Sequence, residues 1–220
     1  MSKKAQQRER TRVALIEKAE ELFAQLGVDG VSLRQIGQAI GSSNTNVIGY
    51  YFGTKEKLIE EVFYHREPEI DRRRAELLAR AEERGLENDI FTLIHALWWP
   101  AFEMVDAAGR HTYSAFWHAI VTSGRGQIRR NLAQEFTATA KLNRRLREKV
   151  VGTADHGDHC IRLAFLLTAN SLAFIDAFHA DDSLAVKAAI YDEALRFASS
   201  IISYAASEAR GTRKLQATDG

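Results

Sequence analysis

Apolar residues recur at three- and four-residue steps along almost the whole chain, and no stretch shows the two-residue alternation of a half-buried strand. Val13, Ile16, Ala19, Leu22, Phe23 and Leu26 trace one stripe from about Gln6 to Leu26, which predicts an amphipathic helix ending at Gly27. Val28-Asp29-Gly30 is turn chemistry. Ser32 then stands as the N-cap of a short helix with Leu33, Ile36, Ala39 and Ile40 at helical spacing, stopped by Gly41. The next short helix turns Val47, Ile48 and Tyr51 inward and leaves Asn44, Thr45, Asn46, Gly49 and Tyr50 as a compact polar outer face. Leu15, Ala19, Phe23, Leu33, Ile36, Ile40, Val47, Ile48 and Phe52 can supply one small core for all three.

Gly53-Thr54 is a second break, and the Thr54 hydroxyl can cap the helix that begins with Lys55-Glu56-Lys57. That helix carries Leu58, Ile59, Val62 and Phe63, meets Pro68, where a kink or restart is expected, and continues to Gly85. About five further helices follow, at roughly Asn88–Ala107, His111–Thr122, Gln127–Val151, Asp155–His179 and Ser183–Glu208, punctuated by Gly109, Gly124, Gly126 and Gly152. The expected fold is all-α with about nine helices. It divides into a three-helix head over residues 1–53, a connecting helix over 54–85, a larger helical body over 86–209 and a disordered tail over 210–220.

The last two helical segments, CIRLAFLLTANSLAFIDAF and AVKAAIYDEALRFASSIISYAA, crowd apolar residues onto more than one face. Pairing with a second copy as a four-helix bundle would cover them, with Phe165, Leu166, Leu172, Ile190, Leu195 and Ile201 at the interface. The alternative is that both helices lie inside a monomer.

Length and composition narrow the class. A chain of 220 residues, 45% hydrophobic, can bury a sizeable core. Lys and Arg number 30 against 29 Asp and Glu, so affinity for a nucleic acid has to come from local charge. The first dozen residues supply some: Lys3, Lys4, Arg8, Arg10 and Arg12 face the lone acid Glu9. The single cysteine, Cys160, excludes an internal disulfide and suits a reducing compartment. The N-terminus lacks the apolar core of a signal peptide, and no run stays apolar and uncharged for the ~18 residues of a membrane span. A cytoplasmic protein without membrane partners is expected.

Two short helices joined by a tight turn outline a helix-turn-helix, whose second helix enters a DNA major groove. The surrounding residues make the pattern more specific. A leading helix ending at Gly27, then Gly30, Ser32-Leu33-Arg34, Ile36, Ala39, Gly41, Tyr51-Phe52, Thr54-Lys55 and Leu58, as an ordered set, resembles the tetracycline-repressor (TetR) family of bacterial one-component regulators. The resemblance covers residues about 10–60 and transfers directly at Arg34, Tyr51 and Lys55. Between Gly41 and Phe52 the chain holds one residue more than the commonest family pattern, and Gly49 stands where a tyrosine is usual. GSSNTNVIGYYFGTK therefore looks like a variant branch. The family resemblance implies an operator of double-stranded DNA, a homodimer, and a small-molecule effector held in an apolar pocket of the body.

Residue chemistry suggests roles. Lys55, with Thr54 at a helix start, suits a phosphate clamp. Arg12, with Arg8 and Arg10, can reach the DNA backbone or a minor groove, and Tyr51 is either a phosphate contact or a core ring. Arg34 can pair with guanine, Asn44 or Asn46 with adenine, and the Thr45 methyl with thymine, while Tyr50 shares their face. Asn44 and Asn46 are also turn-capping types. Trp98, Phe102, Phe116, Trp117 and Phe174 are candidate pocket walls or plain core. Asp155-His156-Gly157-Asp158-His159-Cys160 has metal-ligand chemistry, but Gly157 breaks the spacing and Asp155 is a ready N-cap, so neither a metal nor a cofactor is expected. No nucleotide-binding glycine loop, carboxylate pair or nucleophile motif supports an enzyme. The expected function is a homodimeric transcriptional regulator, a repressor released from a palindromic operator by a small, largely apolar effector. The competing reading is a helical interaction protein that keeps the helix-turn-helix without reading DNA sequence.

Overall fold

The computed structural model describes residues 2–44, 46–150 and 154–218, with side chains at all of them except 129, 130, 154–156, 158 and 208–218. Among these residues there are ten helices and no strand. They are α1 (Lys3–Leu26), α2 (Leu33–Ala39), α3 (Val47–Phe52), α4 (Lys55–Glu83), α5 (Ile90–Glu103), α6 (Thr112–Thr122), α7 (Gly126–Leu132), α8 (Thr137–Lys149), α9 (Ala154–Phe178) and α10 (Leu184–Thr218). They cluster into two units, Met1–Glu69 with Thr112–Ala133, and Ile70–His111 with Gln134–Gly220.

The first unit holds α1 to α3, the first half of α4, and α6 with α7. Its core is Leu15, Ile16, Ala19, Phe23, Ile36, Val47, Ile48, Leu58, Ile59, Phe63 and Phe116, all buried. Leu33 and Ile40 are half-buried and Ala39 is exposed, so α2 presents a narrower face than its apolar spacing predicts. That face is Ile36 with Gly37. A Cβ on Gly37 would fall 2.8 Å from Val47 Cγ1, so the missing side chain lets α2 and α3 approach. A second glycine requirement sits at Gly30, where a Cβ would fall 2.4 Å from the Leu26 carbonyl oxygen. Polar ties join the longer helices. Arg66 donates to the buried Glu20 at 2.7 and 3.3 Å, and Tyr113 OH donates to the buried Glu67 at 2.7 Å. Burial pushes the Glu20 carboxyl up, with Arg66 opposing it.

The second unit holds the rest of α4 with α5, α8, α9 and α10. Pro68 lies inside α4 without ending it, and the division between units falls after the next residue. The basic run Arg72–Arg74 has three fates. Arg72 pairs with Glu76, Arg73 bridges Glu103 and Glu76, and Arg74 is fully buried, donating to Leu97 O and Thr139 Oγ1 at 2.9 Å each. The segment expected as one helix from Gln127 is split into α7 and α8. The start of α8 is capped from a distance, the Asp71 carboxylate accepting from Thr139 N at 2.7 Å and Ala138 N at 3.3 Å. His111 is buried, its backbone N–H and Nδ1 both directed to Asp176 at 2.8 and 2.7 Å and its Nε2 3.1 Å from Phe102 O. α9 and α10 pack along one another. The stretch His159–Phe178 is long and apolar enough to cross a membrane by composition, but it carries Arg162 and Asp176 and forms one side of this packed pair. α10 is helical to Thr218, past Arg210, where disorder was expected.

Candidate nucleic-acid interface

The outer surface of the head is set by what α2 and α3 bury. α2 begins in a complete capping box, Ser32 Oγ accepting from Gln35 N at 3.2 Å and Gln35 Oε1 accepting from Ser32 N at 2.7 Å, which satisfies two otherwise orphaned donors. Arg34 leaves the first turn of that helix exposed. α3 buries Val47, Ile48 and Phe52, and so turns Asn46, Gly49 and Tyr50 to the other side; Tyr50 is 62% exposed. Tyr51 is half-buried between the two faces. Tyr50 and Tyr51 meet edge to face, with ring centres 5.1 Å apart.

Asn44 and Asn46 do different things in the turn. Asn44 Oδ1 accepts from Asn46 N at 2.9 Å and Asn44 N donates to Ser42 Oγ at 3.2 Å, an Asx turn that delivers the chain into α3. Asn46 makes no side-chain capping bond. Thr45 lies outside the described residues.

Lys55 is placed against the head rather than away from it. Its ammonium donates to Val28 O at 2.9 Å and Val31 O at 2.6 Å, and lies 5.9 Å from the centre of the Phe23 ring. The turn between α1 and α2 is thus pinned from the start of α4, and Arg125 pairs with Asp29 of the same turn at 2.8 Å, holding that carboxyl below its usual range. Thr54 caps α4 as expected, its Oγ1 accepting from Lys57 N at 3.2 Å. The basic N-terminal segment is helical from Lys3, capped by Ser2. Arg12 is paired with Glu9 and Glu61. Arg8 instead lies over the tyrosines, 5.3 Å from the Tyr50 ring centre and 5.9 Å from that of Tyr51. An exposed arginine on the first helix and the exposed face of α3 therefore form one continuous surface.

This arrangement coincides with a known one. Residues 15–62 match the family described as bacterial regulatory proteins, tetR family. That stretch of the chain is similar to the DNA-binding head of the tetR family. The HTH-type transcriptional repressor NicS of Pseudomonas putida is similar to this chain, 33% identical over 95 residues, which are 43% of each chain. The match thus spans less than half the length of that curated relative. The matched stretch takes in the second half of α1, α2, α3 and the start of α4.

Outside the tetR-family head, the expected site residues separate. Phe116 lies in the core of the head unit, its ring centre 5.1 Å from that of Phe63. Trp98 and Phe102 are buried in the second unit, where Phe102 stacks on Tyr191 at 5.4 Å and Tyr191 OH donates to Trp98 O at 3.2 Å. Burial drives the Tyr191 phenol above its usual range. Trp117 is half-buried on α6, and Phe174 is exposed on α9. Of the expected interface residues, Phe165, Leu172 and Leu195 are buried within the chain, and Leu166, Ile190 and Ile201 are half-buried. The large apolar residues left exposed on these helices are Leu163, Phe174 and Phe178 on α9 and Leu184, Val186, Phe197 and Tyr204 on α10. Hydrophobicity alone does not separate the two sets, because both carry large apolar side chains; Phe197 and Tyr204 fall two turns apart on one side of α10. Near the start of α9, the side chains of Asp155, His156 and Asp158 lie outside the described residues, His159 is exposed and Cys160 is buried. Among the described residues no group of three His, Cys, Asp or Glu could hold a metal ion.

Proposed function

We propose that the protein is a homodimeric DNA-binding transcriptional regulator that acts in the cytoplasm as a repressor on a palindromic operator. The observation that carries this is the tetR-like head with its outward surface, where Arg34, Asn46 and Tyr50 are exposed while Ile36, Val47, Ile48 and Phe52 point inward. Arg34 and one asparagine are the base-reading candidates, Arg8, Tyr51 and Thr54 are the phosphate-facing ones, and Lys55 supports them by pinning the turn between α1 and α2. Dimerisation is supported by the exposed Leu163, Phe174, Phe178, Phe197 and Tyr204 on α9 and α10, an apolar face of a kind that stable monomers cover. Two heads related by a two-fold axis read two half-sites, which makes the operator a palindrome. Release by a small, largely apolar effector is supported by the aromatic residues gathered around Trp98, Phe102 and Tyr191 beside the buried Arg74. A near-complete switch needs ~5.5 kcal/mol of differential binding.

Selection of bound fragments from random DNA, followed by gel shift over a range of salt, tests the reading. Enrichment of a palindrome bound far more tightly than random sequence is the expected result. Equal, weak binding to every sequence would instead make the chain an interaction protein on a helix-turn-helix scaffold.

A further inference from the structure

Gly49 is a glycine that its backbone does not require. It lies inside α3 with no left-handed φ, and glycine weakens a helix interior, more so in one as short as Val47–Phe52. What its missing side chain does make room for is Asn46. A Cβ at Gly49 would fall 2.3 Å from Asn46 Oδ1, 2.9 Å from its Cγ and 3.1 Å from its Nδ2, so the Asn46 amide occupies the place where any other residue would put a side-chain carbon. Asn46 itself is exposed, and its amide makes no capping bond to α3. Its neighbour Asn44 has the same chemistry, but its Oδ1 already accepts the Asn46 N–H and so shapes the turn.

We infer that Gly49 is a specificity-determining position, seating the Asn46 amide in one orientation on the outer face of α3 with its acceptor and donors presented to the N6 and N7 edge of an adenine. The division of work follows from the geometry. Asn44 positions the start of α3, Asn46 reads, and the missing side chain at Gly49 leaves open the orientation that the reader adopts, which any larger residue would close. Replacing Gly49 by alanine keeps α3 and removes the seat. The inference rests on the DNA-binding reading above.

The test is binding-site selection with the full-length wild type, Asn46→Ala, Gly49→Ala and the double variant, each accompanied by a thermal melt. The wild type is expected to enrich adenine at one position of each half-site. Asn46→Ala and Gly49→Ala should each reduce that preference by about tenfold, at that position alone. The double variant should lose no more than either single one, and Gly49→Ala should melt no lower than wild type. A wild type that enriches no sequence overturns the DNA-binding reading and this inference with it. A wild type that does select a site, with Gly49→Ala keeping the full preference or losing affinity evenly for all sequences, overturns this inference alone. Asn46→Ala provides an independent check should Gly49→Ala fold poorly, and an unchanged preference in that variant is equally decisive against the inference.

Discussion

On the outside of the head, Arg34, Asn46 and Tyr50 carry polar groups, Arg34 beside a capping box, Asn46 after an Asx turn and over Gly49, and Tyr50 against Tyr51 and Arg8. Along α9 and α10 the exposed residues include Leu163, Phe174, Phe178, Phe197 and Tyr204, large and apolar, and Phe197 is 58% exposed although the two helices already bury Leu172, Ile175, Leu195 and Ile202 within their unit. The first kind of surface suits a partner whose shape is fixed and whose information lies in hydrogen-bonding edges. The second suits a partner that offers the same apolar face, for which area matters more than the placement of any single atom. On the proposed function, specificity and assembly rest on different residues of this chain, and removing one should leave the other.

The largest expected effect is on assembly. A charge at the exposed face, Phe174→Asp combined with Phe197→Asp, should halve the mass measured by light scattering. Operator affinity should drop by roughly a hundredfold or more as the two half-sites lose their linkage. Far-ultraviolet circular dichroism should stay unchanged. By contrast Leu195→Ala, at a fully buried position, should cost ~2–5 kcal/mol in urea unfolding. Equal effects of the two kinds of variant on mass and on stability would erase the distinction between inner and outer faces.

Lys55 is the next test, because its position in the head gives it a structural duty. Removing an ammonium that satisfies two carbonyls, as in Lys55→Met, should lower stability by about 2 kcal/mol and weaken binding to every DNA sequence together. Full stability with only the salt slope reduced would assign Lys55 to phosphate contact alone. Arg34→Ala should leave stability within ~0.5 kcal/mol of wild type, since the side chain is exposed, and relax preference at one base pair per half-site by ~1–3 kcal/mol.

Much of this was visible in the sequence wherever the cause is local. The capping box at Ser32, the end of α1 at Gly27 and the inward Val47, Ile48 and Phe52 are set by neighbours within a turn or two. What escaped has a distant cause. The break between α7 and α8 is fixed by Asp71, a carboxylate 68 residues before Thr139, and no residue near Phe136 announces it. Lys55 sits where the motif places it, but its direction is decided by carbonyls 24 and 27 residues away. The sequence places Phe165 and Leu172 at an outer interface because α9 is apolar on several faces; both are buried within the chain, and only the position of its neighbours tells which face is inside.

The smallest expected effect separates two arginines that look equivalent in the sequence. Arg8 and Arg12 stand one turn apart on α1, in the same basic segment. The Arg12 guanidinium is shared between Glu9 and Glu61, so a phosphate would have to displace two carboxylates to use it. The Arg8 guanidinium lies over the rings of Tyr50 and Tyr51, a contact that fixes its place without neutralising its charge. Each phosphate neutralised by the protein contributes about 0.9 to the slope of log affinity against log salt. Arg8→Ala should therefore lower that slope by about one for each head, on specific and random DNA alike. Arg12→Ala should leave the slope unchanged and alter stability by no more than ~1 kcal/mol, the range of a partly exposed ion pair. A slope that responds to Arg12 and not to Arg8 would mean that the ion pairs with Glu9 and Glu61 open on DNA, and that the first helix meets the backbone through a different face.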